Sequence, residues 1–288
     1  MTWFVFSVLS VFALAVAELM QQHLLNLKNA FNARTSAVLT FLFQSILSIP
    51  LLFALGISDQ ISSIFNATVF PKIMIVSFLG SLAMIFYLRS FRVKSISISA
   101  IFISLSAVVS TFLGIIFFSE SVSYLKFIGI ALVLAAIIVV NYKNAILEKN
   151  NLYGLVAGII FGILYTLDKS IVLDIHPLIY IFWSFFMLSL WGFVMGRKDV
   201  INSVRKKNFS AYKPIMASAV GYFLYNFFTF TAYRFGGEVG RIDAINNSQI
   251  FLIILFEFFI LKHTKGIARK LLAASLAIAG IFILGFTR

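Results

Sequence analysis

In 288 residues the chain holds 61% hydrophobic and 11% charged side chains, with a formal net charge of +13. Charged residues make up about a quarter of a soluble domain, so this composition excludes a water-soluble globule and points to a chain that faces lipid. The basic excess is not a nucleic-acid signal, because Lys and Arg sit in short segments between apolar runs, where the positive-inside bias puts them. With no cysteine, disulfide, thiol and zinc–thiolate chemistry are excluded.

A membrane-crossing helix needs about 20 apolar residues. Apolar length and polar breaks predict ten spans: 2–26, 35–56, 71–92, 95–118, 122–142, 152–173, 177–196, 213–235, 238–261 and 266–287. In the first, Ala15-Val16-Ala17 has the look of a cleavage site. No basic stretch precedes it and the apolar run continues to Asn26, so the segment is expected to be retained. Pro50 predicts a kink in the second span, and Pro71 a first-turn proline in the third.

Glu18 lies inside the first span, with Gln21 and Gln22 three and four residues on, so one face is polar. A charge at mid-membrane costs about 2.5–3.5 kcal/mol on insertion scales and is normally turned to a cavity or partner. The alternative is a side chain snorkelling to the membrane surface. In the sixth span Tyr165, Asp168 and Lys169 form a second polar group. Either Asp168 pairs with Lys169, or the two point about 100° apart and Asp168 is free to act. The functional reading of Glu18 and Asp168 is a pair that binds a cationic group or a proton in exchange for substrate. The same span carries Gly154, Gly158 and Gly162, a ridge that permits close helix approach.

In the eighth span Tyr225 and Asn226 are expected in a pocket, and Tyr222 and Tyr233 in an interfacial belt. The ninth is the most polar, with Asp243, Asn246 and Asn247. Its amides suit recognition of a zwitterion or hydroxylated metabolite, or else glue helices together. The candidate substrate-binding set is therefore Glu18, Gln21, Gln22, Tyr165, Asp168, Lys169, Tyr225, Asn226, Asp243, Asn246 and Asn247. No catalytic cluster, metal site or cofactor motif is present in the sequence, so neither an enzyme nor a cofactor is expected.

The chain also repeats. Offsetting it by 150 residues puts Trp3 on Tyr153 and Glu18 on Asp168. Pro71 and Pro214 each open the third span of a half, and both halves end in a small-residue span. The predicted fold is an all-α integral membrane protein of ten transmembrane helices: a first five-helix repeat over 1–143, a linker over 144–151 and a second repeat over 152–288. Five being odd, the halves run in opposite senses, the inverted-repeat mark of secondary transporters. Of the 23 Lys and Arg, seventeen fall in the odd-numbered loops or the span ends beside them. This places those loops in the cytoplasm and both termini outside.

The run Phe112-Leu-Gly-Ile-Ile-Phe-Phe-Ser-Glu120 followed by Gly129, and the turn Tyr87-Leu-Arg-Ser-Phe-Arg92, resemble the drug/metabolite transporter superfamily, in particular its EamA-like ten-span members. The second half departs from the pattern, reading Leu261-Lys-His-Thr-Lys265 where the first has its glutamate. The resemblance implies a transporter of small metabolites, amino acids or drugs, drawn with both termini in the cytoplasm, against the charge count. The expected function is alternating-access transport of a small polar or cationic metabolite, with proton coupling as an option. A lipid or lipid-linked flippase of the same fold is the alternative, and an intramembrane aspartyl-type enzyme a remoter one. The expected partners are a small-molecule substrate and membrane lipids, with protons as a candidate coupling ion and a homodimer as a candidate assembly. The expected location is the plasma (inner) membrane.

Overall fold

The computed structural model describes residues 2–25, 31–90, 96–120, 122–141, 149–205, 207–259 and 266–286, and these are all-helical, with no strand. In chain order the helices are α1 (Thr2–Leu25), α2 (Ala33–Ala54), α3 (Val69–Ser90), α4 (Ile96–Ile103), α5 (Leu105–Phe118), α6 (Tyr124–Asn141), α7 (Lys149–Val172), α8 (Pro177–Met195), α9 (Arg197–Arg205), α10 (Lys213–Arg234), α11 (Val239–Asn247), α12 (Gln249–Phe259) and α13 (Ile267–Phe286). Among the described residues, eight helical segments are long and apolar enough to cross a membrane, and Tyr124–Ala136 is a shorter apolar one. Phe4, Phe12, Ile116, Phe117 and Ile138 are exposed, as helices surrounded by hydrocarbon allow. The linker 144–148, the turn 91–95 and the segment 261–265 lie outside the described residues.

Local sequence sets the helix ends. Asn32 starts α2, its side-chain oxygen accepting the Thr35 amide at 2.7 Å. Pro177 occupies the first turn of α8, where its missing N–H costs nothing. His176 caps that helix, Nδ1 accepting the Leu178 amide at 3.2 Å. The predicted 197–212 loop contains a short helix, α9, tied to α2 by an Arg34–Asp199 ion pair at 2.9 Å.

The fourth and ninth spans, expected to be continuous, are each two helices. They break at Ser104 (φ −59°, ψ −10°) and Ser248 (φ −63°, ψ −13°), nearly the same geometry. At Ser104 the hydroxyl bonds the Ile101 carbonyl at 2.6 Å, competing with the backbone ladder. At Ser248 the backbone amide takes a three-residue step to the Ile245 carbonyl at 3.0 Å.

Helix contacts cross between the halves. α1 packs on α10, α2 on α8, α3 on α7 and α6 on α13. Close approach depends on small residues. The glycine ridge of α7 meets the first break, where a Cβ at Gly158 would lie 3.0 Å from the Ile103 carbonyl oxygen. At the α6–α13 crossing a Cβ at Gly280 would lie 2.5 Å from the Gly129 carbonyl.

Gly158→Val is therefore expected to cost about 1–3 kcal/mol by overpacking backbone that has no room to yield, read as a lower melting temperature in detergent. A second expectation concerns acid. Burial first, and the Arg234 charge second, hold His176 below its ordinary pKa of 6.5. Its stabilising cap is complete above 6.5 and is lost as pH falls through the lowered value. Beside it stand Asp174 and Lys72, themselves paired at 3.9 Å. His176→Asn, which keeps a capping oxygen, should flatten the fall in melting temperature between about pH 7.5 and 5.5.

Candidate functional site

Helices from both halves surround one central cavity with roughly 840 Å³ of empty space, partly open. Eight of the eleven candidate residues line it: Glu18, Tyr165, Asp168, Tyr225, Asn226, Asp243, Asn246 and Asn247. Gln21 is buried beside it, accepting a hydrogen bond from Ser218 at 2.6 Å. Lys169 is buried away from its walls, and the Gln22 side chain lies outside the described residues. Among the described residues the walls hold three carboxylates and no Lys, Arg or His. Rings such as Tyr87, Tyr165, Tyr180, Tyr222, Tyr225 and Phe230, and aliphatic side chains such as Leu14, Val76, Met84 and Leu188, make up much of the rest.

The three acids differ in what holds them. Asp243 takes donors on both oxygens: Ser110 at 2.8 Å on Oδ2, and Asn247 at 2.8 Å with Ser106 at 3.2 Å on Oδ1. Asp168 accepts a short hydrogen bond from the Tyr180 hydroxyl. Glu18 accepts one bond, from Gln249 Nε2 at 2.9 Å, and its Oε2 finds no partner among the described residues. Glu18 is 1% exposed and Asp168 8%, so neither snorkels to a membrane surface.

The amides do two kinds of work. Asn246 accepts from the Ser10 hydroxyl and donates to Thr229 at 3.2 Å, joining α1, α11 and α10. Asn226 donates to Gln44 at 3.0 Å, joining α10 to α2. Tyr225 donates to the Tyr165 hydroxyl at 3.2 Å, joining α10 to α7. Tyr222 and Tyr233, expected in an interfacial belt, are buried instead. Tyr222 lines the cavity, because its side of α10 is enclosed by α1, α2 and α7, while Met216, Val220 and Leu224 face outward.

The candidate set left out Gln249, although its run Asn246-Asn-Ser-Gln249 is unusual in a span, and sequence reasoning missed Tyr180, Gln44, Ser106 and Ser110. Gln249 and Gln44 carried a signal, each an amide inside an apolar run. Tyr180 and the serines carried none, since both residue types are common in spans for other reasons.

Asp168 and Lys169 do point apart. The Lys169 ammonium lies 3.5 Å from Glu120 Oε1 and 4.6 Å from the Phe118 ring centroid. Ser119, in the left-handed conformation (φ 52°), turns the chain at the end of α5. That turn folds Glu120 back on Gly114, where a Cβ would lie 2.5 Å from Oε2. Glu120 Oε1 also accepts the Val239 amide at 2.7 Å, so a carboxylate meets the positive end of α11.

The Gly114–Glu120 turn lies within a family match. Residues 1–142 match the EamA-like transporter family. The drug/metabolite transporter resemblance of Tyr87–Arg92 and Phe112–Glu120 falls inside that EamA-like stretch. A crystal structure of a protein 12% identical to this chain superposes with a TM-score of 0.68, covering 97% of this chain and 94% of that one. It shares the fold. No curated protein matches. The apolar helices make this a multi-pass membrane protein, and its residues 1–142 are similar to a transporter family.

Lys169→Met strands Glu120 as a buried charge, a loss of about 3–5 kcal/mol. The double variant with Glu120→Gln should cost less than the two single changes together. Unfolding in denaturant checks this, and simple additivity would show the two side chains uncoupled.

Proposed function

We propose that the protein is a secondary active transporter of a small polar or cationic metabolite, working by alternating access, with a cationic substrate the better fit. The observation that carries this is a cavity walled by Glu18, Asp168, Asp243 and aromatic rings, with no basic side chain among the described residues. Carboxylates attract a cation, and ring faces stabilise it further once water is displaced. A proton serves the same acids and is the candidate coupling ion. The amides and tyrosine hydroxyls supply donors and acceptors for the polar remainder.

The arrangement is read as ten spans in two inverted five-helix repeats, counting α4–α5 and α11–α12 as one span each. Exchanging the halves carries the α1–α10 contact onto α7–α3, α1–α11 onto α7–α4, and α2–α10 onto α8–α3. The paired breaks at Ser104 and Ser248 support it, since discontinuous helices at matching places in two halves mark transporter sites. The charge distribution favours an inner membrane with the basic loops in the cytoplasm. A homodimer is compatible with this reading and is not needed for it.

One observation favours the flippase alternative. A groove between α1, α11–α12 and α13 is lined by Val8, Val11, Phe12, Ile245 and Leu252, and Ser248 is the single polar side chain in its wall. A lipid tail would fit there.

The test is flux in proteoliposomes together with a thermal-shift screen of amino acids, nucleosides, polyamines and lipids. An organic cation at about 100 times its dissociation constant should stabilise the protein by about 2.7 kcal/mol. Glu18→Gln should weaken that affinity about tenfold or more, from the loss of a charged partner. Glu18→Gln and Asp168→Asn should fold yet lose coupled transport. Unchanged proton-coupled flux in both variants refutes the acid pair, and stabilisation by lipids alone favours the flippase.

A further inference from the structure

Polar side chains continue beyond the cavity, where the transport reading assigns them nothing. On α2, Ser36, Thr40 and Gln44 recur every four residues and so share a face. All are at most 1% exposed. Gln44 accepts from Asn226, which turns that face toward α10. Across from it Ser218 of α10 donates to Gln21 of α1. α1 and α10 cross closely here, a Cβ at Gly221 lying 2.9 Å from that of Ala17.

These groups are poorly satisfied. The hydroxyls of Ser36 and Thr40, Gln21 Nε2, the Tyr222 hydroxyl, Glu18 Oε2 and Gln249 Oε1 are all buried, with no hydrogen-bond partner among the described residues. A lone serine or threonine in a span normally returns its hydroxyl to a carbonyl of the preceding turn, as Ser48 and Thr111 do. Six orphaned polar atoms along α1, α2, α10 and α12 are far from that norm. Each costs about 1–3 kcal/mol if left dry.

The file runs toward one membrane face. Glu18 and Gln21 lie in the last third of α1, Ser36 and Thr40 in the first half of α2, and Ser218 in the first turns of α10. All are the ends that meet the basic segments holding Arg34, Arg197, Lys198, Arg205 and Lys213. At the basic-loop end of the file stands an apolar cluster separate from the main core, made of Leu24, Phe31, Leu39 and Ile215, with Leu39 a turn deeper on α2 than Ser36. The Phe31 ring meets Tyr212 edge-on at 5.1 Å.

We propose that Ser36, Thr40, Gln21 and Ser218 line a water-filled access path that joins Glu18 to the membrane face bearing the basic loops, and that the Leu24–Phe31–Leu39–Ile215 cluster is its gate. The path gives a small cation or a proton a polar route on that side. It rests on the transport reading for its purpose, but its water access is measured without transport.

The absence of cysteine makes the test direct. Ser36→Cys, Thr40→Cys and Ser218→Cys are introduced singly, with Phe12→Cys on the exposed face of α1 as the lipid-facing control. Each is reconstituted in vesicles and treated with a membrane-impermeant cationic methanethiosulfonate from either side. The three path positions should react at least tenfold faster than Phe12→Cys, and from the basic-loop side. Adding Ile215→Ala should speed Thr40→Cys and Ser218→Cys several-fold further, leaving the control unchanged. Rates no higher than the control, with and without Ile215→Ala, overturn the path, as does reaction only from the opposite side. A protein that labels as expected yet moves no substrate sinks the transport reading and leaves the path standing.

Discussion

A carboxylate cannot rest in hydrocarbon, and that constraint orients this bundle. Glu18, Asp168 and Asp243 each fix the inward face of a helix, α1, α7 and α11, and all three look into the same space. Once those faces are set, Phe4, Phe12, Ile116 and Ile138 are left for lipid. Between helices, where lipid tails are as apolar as any side chain, close backbone contact does the binding. Gly158 against Ile103 and Gly280 against Gly129 are the clearest cases.

The second organising contact is Glu120. It gathers the end of α5, the ammonium of Lys169 on α7 and the first amide of α11 at one membrane face. The opposite face carries the Arg34–Asp199 ion pair at the protein surface and, buried, the apolar cluster of Leu24, Phe31, Leu39 and Ile215. The cavity thus has a buried ion pair at one end and weak, non-directional contacts at the other. The two faces respond differently to ionic strength, since buried pairs are screened little and apolar contacts are strengthened by excluded salts.

Much of this was legible in the chain. Apolar run length placed most helices to within two or three residues, because in lipid the span is set by membrane thickness. Glu18, Asp168 and Asp243 stood out because charge is rare in such runs, and the divergence of Asp168 from Lys169 followed from helical geometry alone. The breaks at Ser104 and Ser248 were not legible, since serine is ordinary within a span and Ser48 and Ser110 bond their own backbone inside unbroken helices. Tyr222 and Tyr233 were misplaced because aromatic residues at a helix end read as a belt. Only the packing of neighbouring helices around α10 shows them to be interior. Tyr180 was invisible for a similar reason, its partner Asp168 lying on another helix.

The two breaks have a mechanical consequence. An unbroken span resists bending because each step of a bend stretches a ladder of backbone bonds, so it tilts as a rod. At Ser104 and Ser248 the ladder narrows to three-residue bonds, Ala107 to Ser104 and Ser248 to Ile245, whose poorer geometry makes a change of angle cheaper there than elsewhere. Both positions belong to spans that meet the Gly158 ridge or the Asp243 wall. Two of the spans are therefore least stiff part-way along, beside the cavity.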